Sequence, residues 1–572
     1  MNIYRYLKQY TKESVLGPLF KLFEATLELI VPLVVASIID KGIATGDGGH
    51  ITRMCLLLVA LGVIGLLFSV TAQYFAAKAA VGFSSKLRGE LFRHVQRLSY
   101  SDVDRLGTSS LITVMTSDTA KVQTGLNQVL RLMLRSPFVV FGAMIMAFTV
   151  DVRSGYTFAA VIPVLSLIVF GIMCITTPMY KKVQKSVDRI LKRTRENLSG
   201  ARVIRAFAKE DSEQSLFNAE NESLTGSQKR VGHISALLNP LTYVVINLGI
   251  LLLIYTGALQ VDSGDLTRGE LIALYNYMSQ ILVELIKLAN LIVHTTKALA
   301  SASRISDMLA ITPSQSYGTR EHGEGSEVML DMSGVSLRYS EGADNALSDI
   351  SFKAMRGETV GIIGGTGSGK SSLINLIARF YDATEGTVTV DGVPAAEYTR
   401  EGLLSKIGIV PQRAVLFKGS IRENMLWGNV SASDEEIYEA LRTAQAEELV
   451  RDKGGLDAAV EAQGRNFSGG QKQRLTIARA LVRRPEILIL DDSSSALDYA
   501  TDARLRAAIS NIRGASTVFI VSQRASSVMH ADKIIVLDDG RAVGIGTHKE
   551  LMQSCREYVE IYESQFEKGD CV

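Results

Sequence analysis

The sequence has few cysteines and almost no net charge. The first argues against a disulfide-stabilised protein, and the second gives no support for a nucleic-acid-binding one. Its 572 residues include four cysteines, Cys55, Cys174, Cys555 and Cys571, and none of them forms a C-x-x-C pair or another metal-binding spacing. A disulfide framework is therefore not indicated, and we expect reduced, unpaired thiols. The formal net charge is only +2, so the overall charge does not predict a nucleic-acid partner.

The first residues, MNIYRYLKQYTKES, lack an apolar core followed by a small-residue cleavage site. This pattern argues against a signal peptide. It favours a short amphipathic helix on a membrane surface, with a plain solvated helix as the alternative.

Apolar residues are abundant, at 47% of the chain, and the chain is too long for one domain. A helix that spans a bilayer needs roughly 20 mostly apolar residues. Six candidate spans lie in the first 300 residues. They centre on residues 29–38, 56–70, 138–150, 158–174, 243–255 and 271–291.

Lysine and arginine are concentrated after the second and the fourth apolar run, whereas the loops after the first, third and fifth are short and nearly balanced in charge. Because basic loops stay in the cytoplasm, we expect both ends of the membrane part, and the region after it, to be cytoplasmic. The two basic segments are long and helix-like, so each is expected to extend two membrane helices into the cytosol.

Four charged residues lie in or near the first and last spans, where charge is costly. Glu24 and Glu28 are one helical turn apart, and Glu284 and Lys287 are three residues apart. Two interpretations stay open: a polar lining for a substrate path, or groups that pair with each other between packed helices.

The pattern changes after a polar, glycine- and serine-rich stretch, TPSQSYGTREHGEGS, which is typical of a linker. Short β-branched runs then alternate with helical segments, which indicates an α/β domain with a mainly parallel sheet. We therefore predict a membrane domain at 16–301, a linker at 302–327 and an α/β domain at 328–562.

A phosphate-binding loop is the strongest motif in the sequence. It fits G-x-x-x-x-G-K-[ST] between a predicted strand and a predicted helix, which is the context that the motif requires. The glycines let backbone N–H groups approach phosphates at a helix N-terminus. Lys370 is then placed to reach the β- and γ-phosphates, and Ser371 to bind Mg²⁺. The predicted ATP-binding residues here are Gly364, Gly365, Thr366, Gly367, Ser368, Gly369, Lys370, Ser371 and Ser372.

Two further segments complete the pattern. The strand ILILDD ends in Asp491, which is expected to hold Mg²⁺ directly or through water. Ser468, Gly469 and Gly470 open a helix in NFSGGQKQRL, and a helix N-terminus is another site for an anion. Taken alone, this second segment is more simply explained as a helix cap.

In this order, the phosphate loop, FSGGQ, the ILILDD strand and SALD resemble the ATP-binding cassette of ABC transporters. Six spans ahead of one cassette resemble an ABC exporter half-transporter, and the resemblance covers nearly the whole chain. It implies an α-helical membrane domain of six transmembrane helices followed by an α/β P-loop NTPase domain, with ATP and Mg²⁺ as cofactors. It also implies that YSDVDRLGTSSL and NLSGARVIRAF surround the two coupling helices, which dock on cassettes.

Further roles follow from the resemblance, position by position. Tyr339 matches the aromatic residue that stacks on adenine, and Gln412 matches the Q-loop glutamine that senses Mg²⁺ and the membrane domain. Asp498 matches the D-loop aspartate. The signature residues, which contact ATP held by the opposite cassette, are Ser468, Gly469, Gly470 and Gln471. Because the signature acts on a second cassette, the working unit is expected to be a dimer.

The sequence departs from the family pattern at the two hydrolytic positions. Asp492 stands where the family has the glutamate that polarises the attacking water, and Gln523 stands where it has a histidine that contacts the γ-phosphate. Ala462 also replaces the usual glutamate before the signature. Aspartate is shorter than glutamate by one C–C bond, about 1.5 Å, and glutamine carries no positive charge.

These departures predict the degenerate-site subunit of a heterodimeric, multidrug-type ABC exporter. Its own site would bind ATP and hydrolyse it slowly or not at all, and its signature would complete the competent site of a partner with intact glutamate and histidine. The expected location is the cytoplasmic membrane, and the expected substrate is a small amphipathic molecule, a drug or a lipid-like compound. The alternatives are a slow homodimeric exporter that uses Asp492, and a regulatory or channel-like membrane protein with ATP as a ligand.

Overall fold

Long helices make up the first part of the chain, and strands alternate with short helices in the second. The structure is a computed structural model that describes residues 3–340, 342–493, 497–510 and 516–566. The described residues fall into two compact units. One comprises the residues up to Gln96 together with Thr108–Ile311. The other comprises Arg97–Gly107 together with the described residues from Thr312 onward.

The first unit is helical throughout its regular structure. A 3₁₀ helix at Ile3–Tyr10 precedes the first α-helix, and π-helical turns lie at Ile38–Ile43 and Val114–Asp118. The α-helices of this unit are α1 (Thr11–Ser37), α2 (Gly48–Val95), α4 (Thr108–Thr113), α5 (Thr119–Leu132), α6 (Arg135–Val150), α7 (Val152–Ser199), α8 (Ala201–Ala206), α9 (Glu210–Ala236), α10 (Leu238–Ser263) and α11 (Arg268–Ala310). Helix α3 (Tyr100–Leu106) belongs to the second unit.

The six predicted spans are confirmed. In the described part of the chain, six helical stretches are long and apolar enough to cross a membrane, and each contains one of the predicted runs. Helices α2 and α7 have 48 residues each, which is about 72 Å at 1.5 Å per residue. The hydrocarbon core of a bilayer is only about 30 Å thick. The basic segments after the second and fourth runs therefore continue their membrane helices, as the sequence indicated.

The N-terminal segment is a 3₁₀ helix, and its expected position on a membrane surface stays a prediction. The 3₁₀ helix leads directly into α1, and Tyr10 is both its last residue and the N-cap of α1. Tyr10 packs closely on α2: a Cβ atom at Gly82 would lie 2.3 Å from the Tyr10 ring. The Lys86 ammonium also lies 5.8 Å from the centre of that ring. The absence of a side chain at Gly82 thus seats the segment against α2.

The charged residues near the first and last spans are paired, which is the second of the two interpretations. Glu284 is 3% exposed and accepts hydrogen bonds from Arg135 at 2.7 Å, Ser136 at 2.9 Å and Lys287 at 2.8 Å. The other guanidinium nitrogen of Arg135 lies 2.6 Å from Glu28. One buried arginine therefore ties α1 and α11 to the start of α6.

Asp118 forms a second buried pair in this unit. Its carboxylate is 1% exposed and accepts from both Nε and Nη2 of Arg304, at 2.8 and 2.6 Å. The Ser301 hydroxyl adds a third bond at 3.1 Å. A buried carboxylate with this many donors is well satisfied.

The second unit contains the strands. They are β1 (Val328–Leu337), β2 (Leu347–Met355), β3 (Thr359–Gly364), β4 (Glu385–Val390), β5 (Val393–Pro394), β6 (Ile407–Val410), β7 (Gly419–Ser420), β8 (Ala459–Val460), β9 (Ile487–Asp491), β10 (Thr517–Val521), β11 (Lys533–Asp538) and β12 (Arg541–Gly546). An antiparallel sheet has the order β2-β1-β4-β5, and the larger sheet has the order β12-β11-β3-β10-β9-β6. In the larger sheet β6, β9, β10, β3 and β11 run parallel, and β12 is antiparallel.

Burial explains the two kinds of strand. Every residue of β3 is buried, as expected for the middle of a parallel sheet with both faces covered. Burial along β2 alternates, which is typical of a strand with one solvent-facing side. The helices of this unit, besides α3, are α12 (Lys370–Ile377), α13 (Arg400–Lys406), α14 (Ile421–Leu426), α15 (Asp434–Thr443), α16 (Glu447–Asp452), α17 (Gly469–Val482), α18 (Tyr499–Ser510), α19 (Ala525–Val528), α20 (His548–Ser554) and α21 (Arg556–Glu563).

Three of the four cysteines lie in the described residues and are free: Cys55 and Cys174 are exposed, and Cys555 is buried. Cys571 lies outside the described residues.

Candidate nucleotide-binding site

The predicted phosphate loop connects the fully buried strand β3 to helix α12. Its glycines are required for steric reasons at two positions. Gly369 has φ +99°, a left-handed conformation that residues with a side chain rarely adopt. A Cβ atom at Gly364 would lie 2.1 Å from the carbonyl oxygen of Leu537 on β11. The loop can therefore take this path between β3 and α12 only with glycine at these two positions.

The Lys370 ammonium folds back over its own loop. It donates to the carbonyl oxygens of Gly364 at 2.8 Å and of Gly365 at 2.6 Å. Burial lowers the pKa of Lys370, and the nearby carboxylates Asp492 and Asp491 oppose that change. These loop carbonyls hold a cation at the mouth of the loop, where it can meet phosphate oxygens.

A cavity of about 290 Å³ opens beside the loop. It brings together most of the predicted site residues, from four different strand and helix ends. Its lining consists of Ala346, Thr366, Gly367, Gly369, Lys370, Ser371, Ser372, Gln412, Asp491, Asp492, Val521, Ser522 and Gln523. Gly364, Gly365 and Ser368 belong to the same loop but do not line the cavity.

Parallel strands bring the two aspartates to this edge of the sheet. In the register of β9 and β10, Asp491 pairs with Val521, and the Asp492 N–H donates to the Val521 carbonyl at 2.9 Å. Residues that follow β9 and β10 therefore come to lie side by side, which places Gln523 in the same cavity as Asp492.

The donors in the cavity fit a magnesium ion. Burial raises the pKa of Asp491, and the adjacent Asp492 raises it further, so a cation beside Asp491 would stabilise its charged form. Ser371 and Gln412 add oxygen donors to the same lining. Among the described residues there is no group of three or more histidine, cysteine, aspartate or glutamate side chains that could hold a metal. Mg²⁺ usually takes one or two carboxylates and fills its other positions with water and phosphate, and Asp491 and Asp492 place two carboxylates in this lining.

Gln412 makes a direct contact with the unusual aspartate. Its Nε2 donates to the Asp492 carboxylate at 3.3 Å. Gln412 follows β6, whereas Asp492 follows β9, and the two strands are neighbours in the sheet. The residue predicted to sense the metal thus contacts the residue predicted to stand in place of the catalytic glutamate.

The signature residues lie away from this cavity. Ser468 caps α17: its hydroxyl accepts from the Gln471 N–H at 3.4 Å, and the Gln471 side chain accepts from the Ser468 N–H at 3.0 Å. Ser468 and Gly469 are exposed, and none of the residues 468–471 lines the cavity. The helix cap considered from the sequence is thus present, and it leaves the helix N-terminus open to a ligand from outside.

Two other predicted residues lie at the margin. The Tyr339 hydroxyl donates to the Ser372 hydroxyl at 3.0 Å, so the ring stands beside the cavity without lining it. Asp498 accepts from the Thr501 N–H at 2.9 Å, and this bond lowers its pKa. Residues 494–496, the serines and alanine before it, lie outside the described residues.

The sequence reasoning missed some residues of the site. Ala346, Val521 and Ser522 line the cavity. Ser522 directly precedes Gln523, so the end of the STVFIVS strand was the signal that pointed to it. Tyr381 was also missed: its ring packs edge-on against Tyr339, with 4.9 Å between ring centres. Phe380 and Tyr381 follow helix α12 but belong to no motif used in the sequence analysis, which explains why Tyr381 was overlooked.

Comparison with known proteins agrees with this geometry. The family model described as "ABC transporter transmembrane region" matches residues 14–285, and the model described as "ABC transporter" matches residues 347–495. An uncharacterized ABC transporter ATP-binding protein of Mycobacterium tuberculosis is 35% identical over 570 residues, covering 98% of this chain and 97% of the relative. The chain belongs to the ABC transporters.

Other relatives of this ABC transporter match over the same extent. YfiB of Bacillus subtilis, an uncharacterized ABC transporter ATP-binding protein, is 36% identical, with 98% of each chain covered. YgaD of the same organism, described as a putative multidrug export ATP-binding/permease protein, is 30% identical, again with 98% of each covered. The structure of a bacterial Atm1-family ABC exporter with ATP bound shares the fold, with a TM-score of 0.80 at 22% identity over 98% of this chain and 99% of that one.

The predicted fold class is therefore confirmed: six membrane helices are followed by an α/β ATP-binding cassette. The transporter is a multi-pass membrane protein with the architecture of an ABC exporter half-transporter. ABC transporters of this kind bind ATP and act as dimers. The domain limits 16–301 and 328–562 stay a prediction; helix α11 continues to Ala310, and β1 begins at Val328.

Proposed function

We propose that this ABC transporter is the slow-site half of a heterodimeric exporter. Its own cassette binds Mg²⁺ and ATP, and hydrolyses the nucleotide slowly or not at all. Its signature completes the competent site of a partner half-transporter, which has the usual glutamate and histidine. Hydrolysis at the partner's site then drives export of a small amphipathic, drug-like or lipid-like molecule across the cytoplasmic membrane.

The observation that carries this proposal is the pair of altered residues in one cavity. Asp492 and Gln523 both line the space beside the phosphate loop, where the family has a glutamate and a histidine. General-base catalysis needs heavy atoms within about 2.6–3.2 Å. The aspartate carboxylate ends about 1.5 Å closer to its own backbone than a glutamate would. The charge is therefore kept, while its reach toward an attacking water is reduced.

The residues expected to bind ATP and Mg²⁺, in contrast, match the family pattern. Lys370 is held at the mouth of the loop by two backbone carbonyls, and Ser371, the second residue of helix α12, lines the same cavity as the partly buried Asp491. These residues would hold the triphosphate and its Mg²⁺, which supplies charge neutralisation when bound. A site with binding groups and weakened hydrolytic groups is expected to stay occupied and to act as a hinge.

The position of the signature supports a role on a second chain. Ser468 and Gly469 are exposed and lie outside the cavity of their own cassette. The capped N-terminus of the 14-residue helix α17 offers backbone N–H groups to an anion. We assign it to ATP held by the partner's phosphate loop. In this role Ser468, Gly469, Gly470 and Gln471 serve the competent site even though Asp492 does not.

Orientation and substrate follow from charge and from relatives. Basic residues flank the cytoplasmic ends assigned to α2 and α7, so we place the N-terminus and the cassette in the cytoplasm. Helix α8 in NLSGARVIRAF has no buried residue, in keeping with a coupling helix that docks on a cassette. The relative YgaD is described as a putative multidrug exporter, which favours a drug-like or lipid-like substrate for this chain.

The test is the ATPase activity of the full-length chain in lipid, first alone and then with a candidate half-transporter encoded beside it. We expect fast hydrolysis only in the pair, and transport only when the pair hydrolyses ATP. Fast hydrolysis by the chain alone would refute the slow site. It would also exclude the alternative of a slow homodimer, because the homodimer would then be fast. Transport by the pair without any hydrolysis would favour an ATP-liganded channel.

A further inference from the structure

An aromatic cluster joins the ring assigned to adenine with helix α3. Tyr339 and Tyr381 meet edge to face, with ring centres 4.9 Å apart and planes at 88°. This is a favoured geometry for two aromatic rings. Tyr339 keeps 45% of its surface exposed, so one part of the ring stays accessible to a nucleotide base while another rests on Tyr381.

Tyr381 in turn contacts α3 through its hydroxyl. It donates a hydrogen bond to the carboxylate of Asp104, a neutral donor to a charged acceptor, which is stronger than a neutral pair. Burial and this bond both raise the pKa of Tyr381, so the hydroxyl keeps its proton. A second contact lies next to it: Tyr100 stacks on Phe380 with 4.5 Å between ring centres.

Helix α12 connects the residues assigned to the phosphates and to the base with the residues that contact α3. Helix α12 begins at Lys370 in the phosphate loop, and the chain after its end carries Phe380 and Tyr381. The Phe380 N–H donates to the Asn375 carbonyl at 2.8 Å, which fixes the exit from the helix. At the other side, the Tyr339 hydroxyl donates to Ser372 on α12. Tyr339 is therefore held between α12 and Tyr381.

Helix α3 is held on the same unit by a separate anchor. Asp102 is 1% exposed and accepts from the Ser314 N–H at 2.9 Å, while the hydroxyls of Ser99 and Ser314 lie 2.7 Å apart. This anchor does not involve the nucleotide cavity. It keeps α3 in place, so that a change in the Tyr381 contact alters how α3 is held without releasing it.

We propose that Tyr381 is a positioning residue that links adenine stacking on Tyr339 to helix α3. A base on Tyr339 restrains the ring, the ring restrains Tyr381, and Tyr381 restrains α3 through Asp104. The proposal rests on the proposed role of Tyr339 at the base. As a consequence, binding of the base, and not only of the triphosphate, restrains the segment that joins α2 to α4 along the chain.

The test compares Mg·ATP with Mg·tripolyphosphate, which has the phosphates but no base. The full-length chain with its partner half-transporter, in lipid nanodiscs, is examined by hydrogen–deuterium exchange over residues 97–107. We expect ATP, and not tripolyphosphate, to slow exchange of this segment. In Tyr381→Phe, which keeps the ring and deletes the hydroxyl, ATP affinity should stay within about threefold while at least half of that protection is lost. Asp104→Asn, which weakens the same bond from the other side, should match it.

The control is Tyr398→Phe, which deletes a tyrosine hydroxyl that donates to Val390 at 2.9 Å away from α3. It should behave as the unmodified protein. Equal protection by ATP in Tyr381→Phe, or equal protection by ATP and tripolyphosphate in the unmodified protein, would overturn the link.

Tyr339→Ala separates this proposal from the broader one. Base stacking on an aromatic residue contributes enough that we expect ATP affinity to fall about tenfold, with no change for tripolyphosphate. Unchanged ATP affinity would overturn both the adenine contact and the link through Tyr381. It would leave the slow site to be decided by the ATPase activity of the pair.

Discussion

Lengthening the side chain at residue 492 tests the reasoning about reach. In Asp492→Glu the carboxylate extends about 1.5 Å farther into the cavity, past the position where it now accepts from Gln412 at 3.3 Å. The general base is then placed where the family has it. Gln523 still offers no positive charge to the γ-phosphate, so we expect the single variant to gain less than about threefold in ATP turnover.

The magnitude for the double variant follows from geometry. A misplacement of about 1 Å can cost about a hundredfold in rate, which corresponds to about 2.7 kcal/mol in the activation free energy. Asp492→Glu with Gln523→His corrects the reach and also supplies the histidine. We therefore expect turnover at this site to rise about a hundredfold over the unmodified chain.

The assay uses the pair, with the partner's catalytic glutamate changed to glutamine so that background hydrolysis is low. The matched control is Asp492→Asn in the same background, which keeps the size of the side chain and removes its charge. Full recovery in Asp492→Glu alone would show that residue 523 is not limiting. A large loss in Asp492→Asn would show that Asp492 already serves as the base, and either result would refute the reasoning.

Three further predictions address the signature, the membrane unit and the cassette core. Ser468→Arg blocks the N-terminus of α17 and should lower ATP turnover of the pair at least about tenfold. ATP affinity at this chain's own phosphate loop should be unchanged. A loss of turnover together with a loss of this affinity would contradict a role on the partner. Arg135→Met should cost about 3–5 kcal/mol of stability, because it leaves buried Glu284 without its main partner. The control, Lys287→Met, should cost much less. Thermal unfolding of both variants in one detergent measures the two losses, and equal losses would contradict the network. Burial lowers the pKa of His548 below its ordinary 6.5. The unfolded chain therefore binds more protons just below pH 6.5, and the free energy of unfolding should fall as the pH drops from about 6.5. His548→Gln should remove this pH dependence from a series of melting temperatures, and an unchanged dependence would contradict the assignment.

The sequence predicted those parts of the molecule that depend on local patterns. Six apolar runs marked the membrane helices, since each run is long enough to span a bilayer by itself. The phosphate loop was recognisable because its glycines, Lys370 and Ser371 are consecutive. The cavity joins distant residues because parallel strands bring the ends of β6, β9 and β10 to one edge of the sheet.

Contacts between distant residues without a motif were not predictable. Arg135 lies just before the apolar run at 138–150, and only the packing of helices reveals that it neutralises Glu284, 149 residues later in the chain. The bond from Tyr381 to Asp104 spans 277 residues. The packing of Tyr10 against Gly82 on α2 likewise could not be read from the amphipathic pattern of the N-terminal segment.

The most direct test of the slow site is the ATPase activity of the purified pair with one cassette altered at a time. We predict that Asp492→Asn in this chain leaves turnover within about twofold of the unmodified pair, because in the proposed slow site Asp492 does not reach the attacking water. The equivalent glutamate-to-glutamine change in the partner should abolish turnover. If Asp492→Asn abolishes turnover as well, then both sites hydrolyse ATP and this chain is not a slow-site subunit.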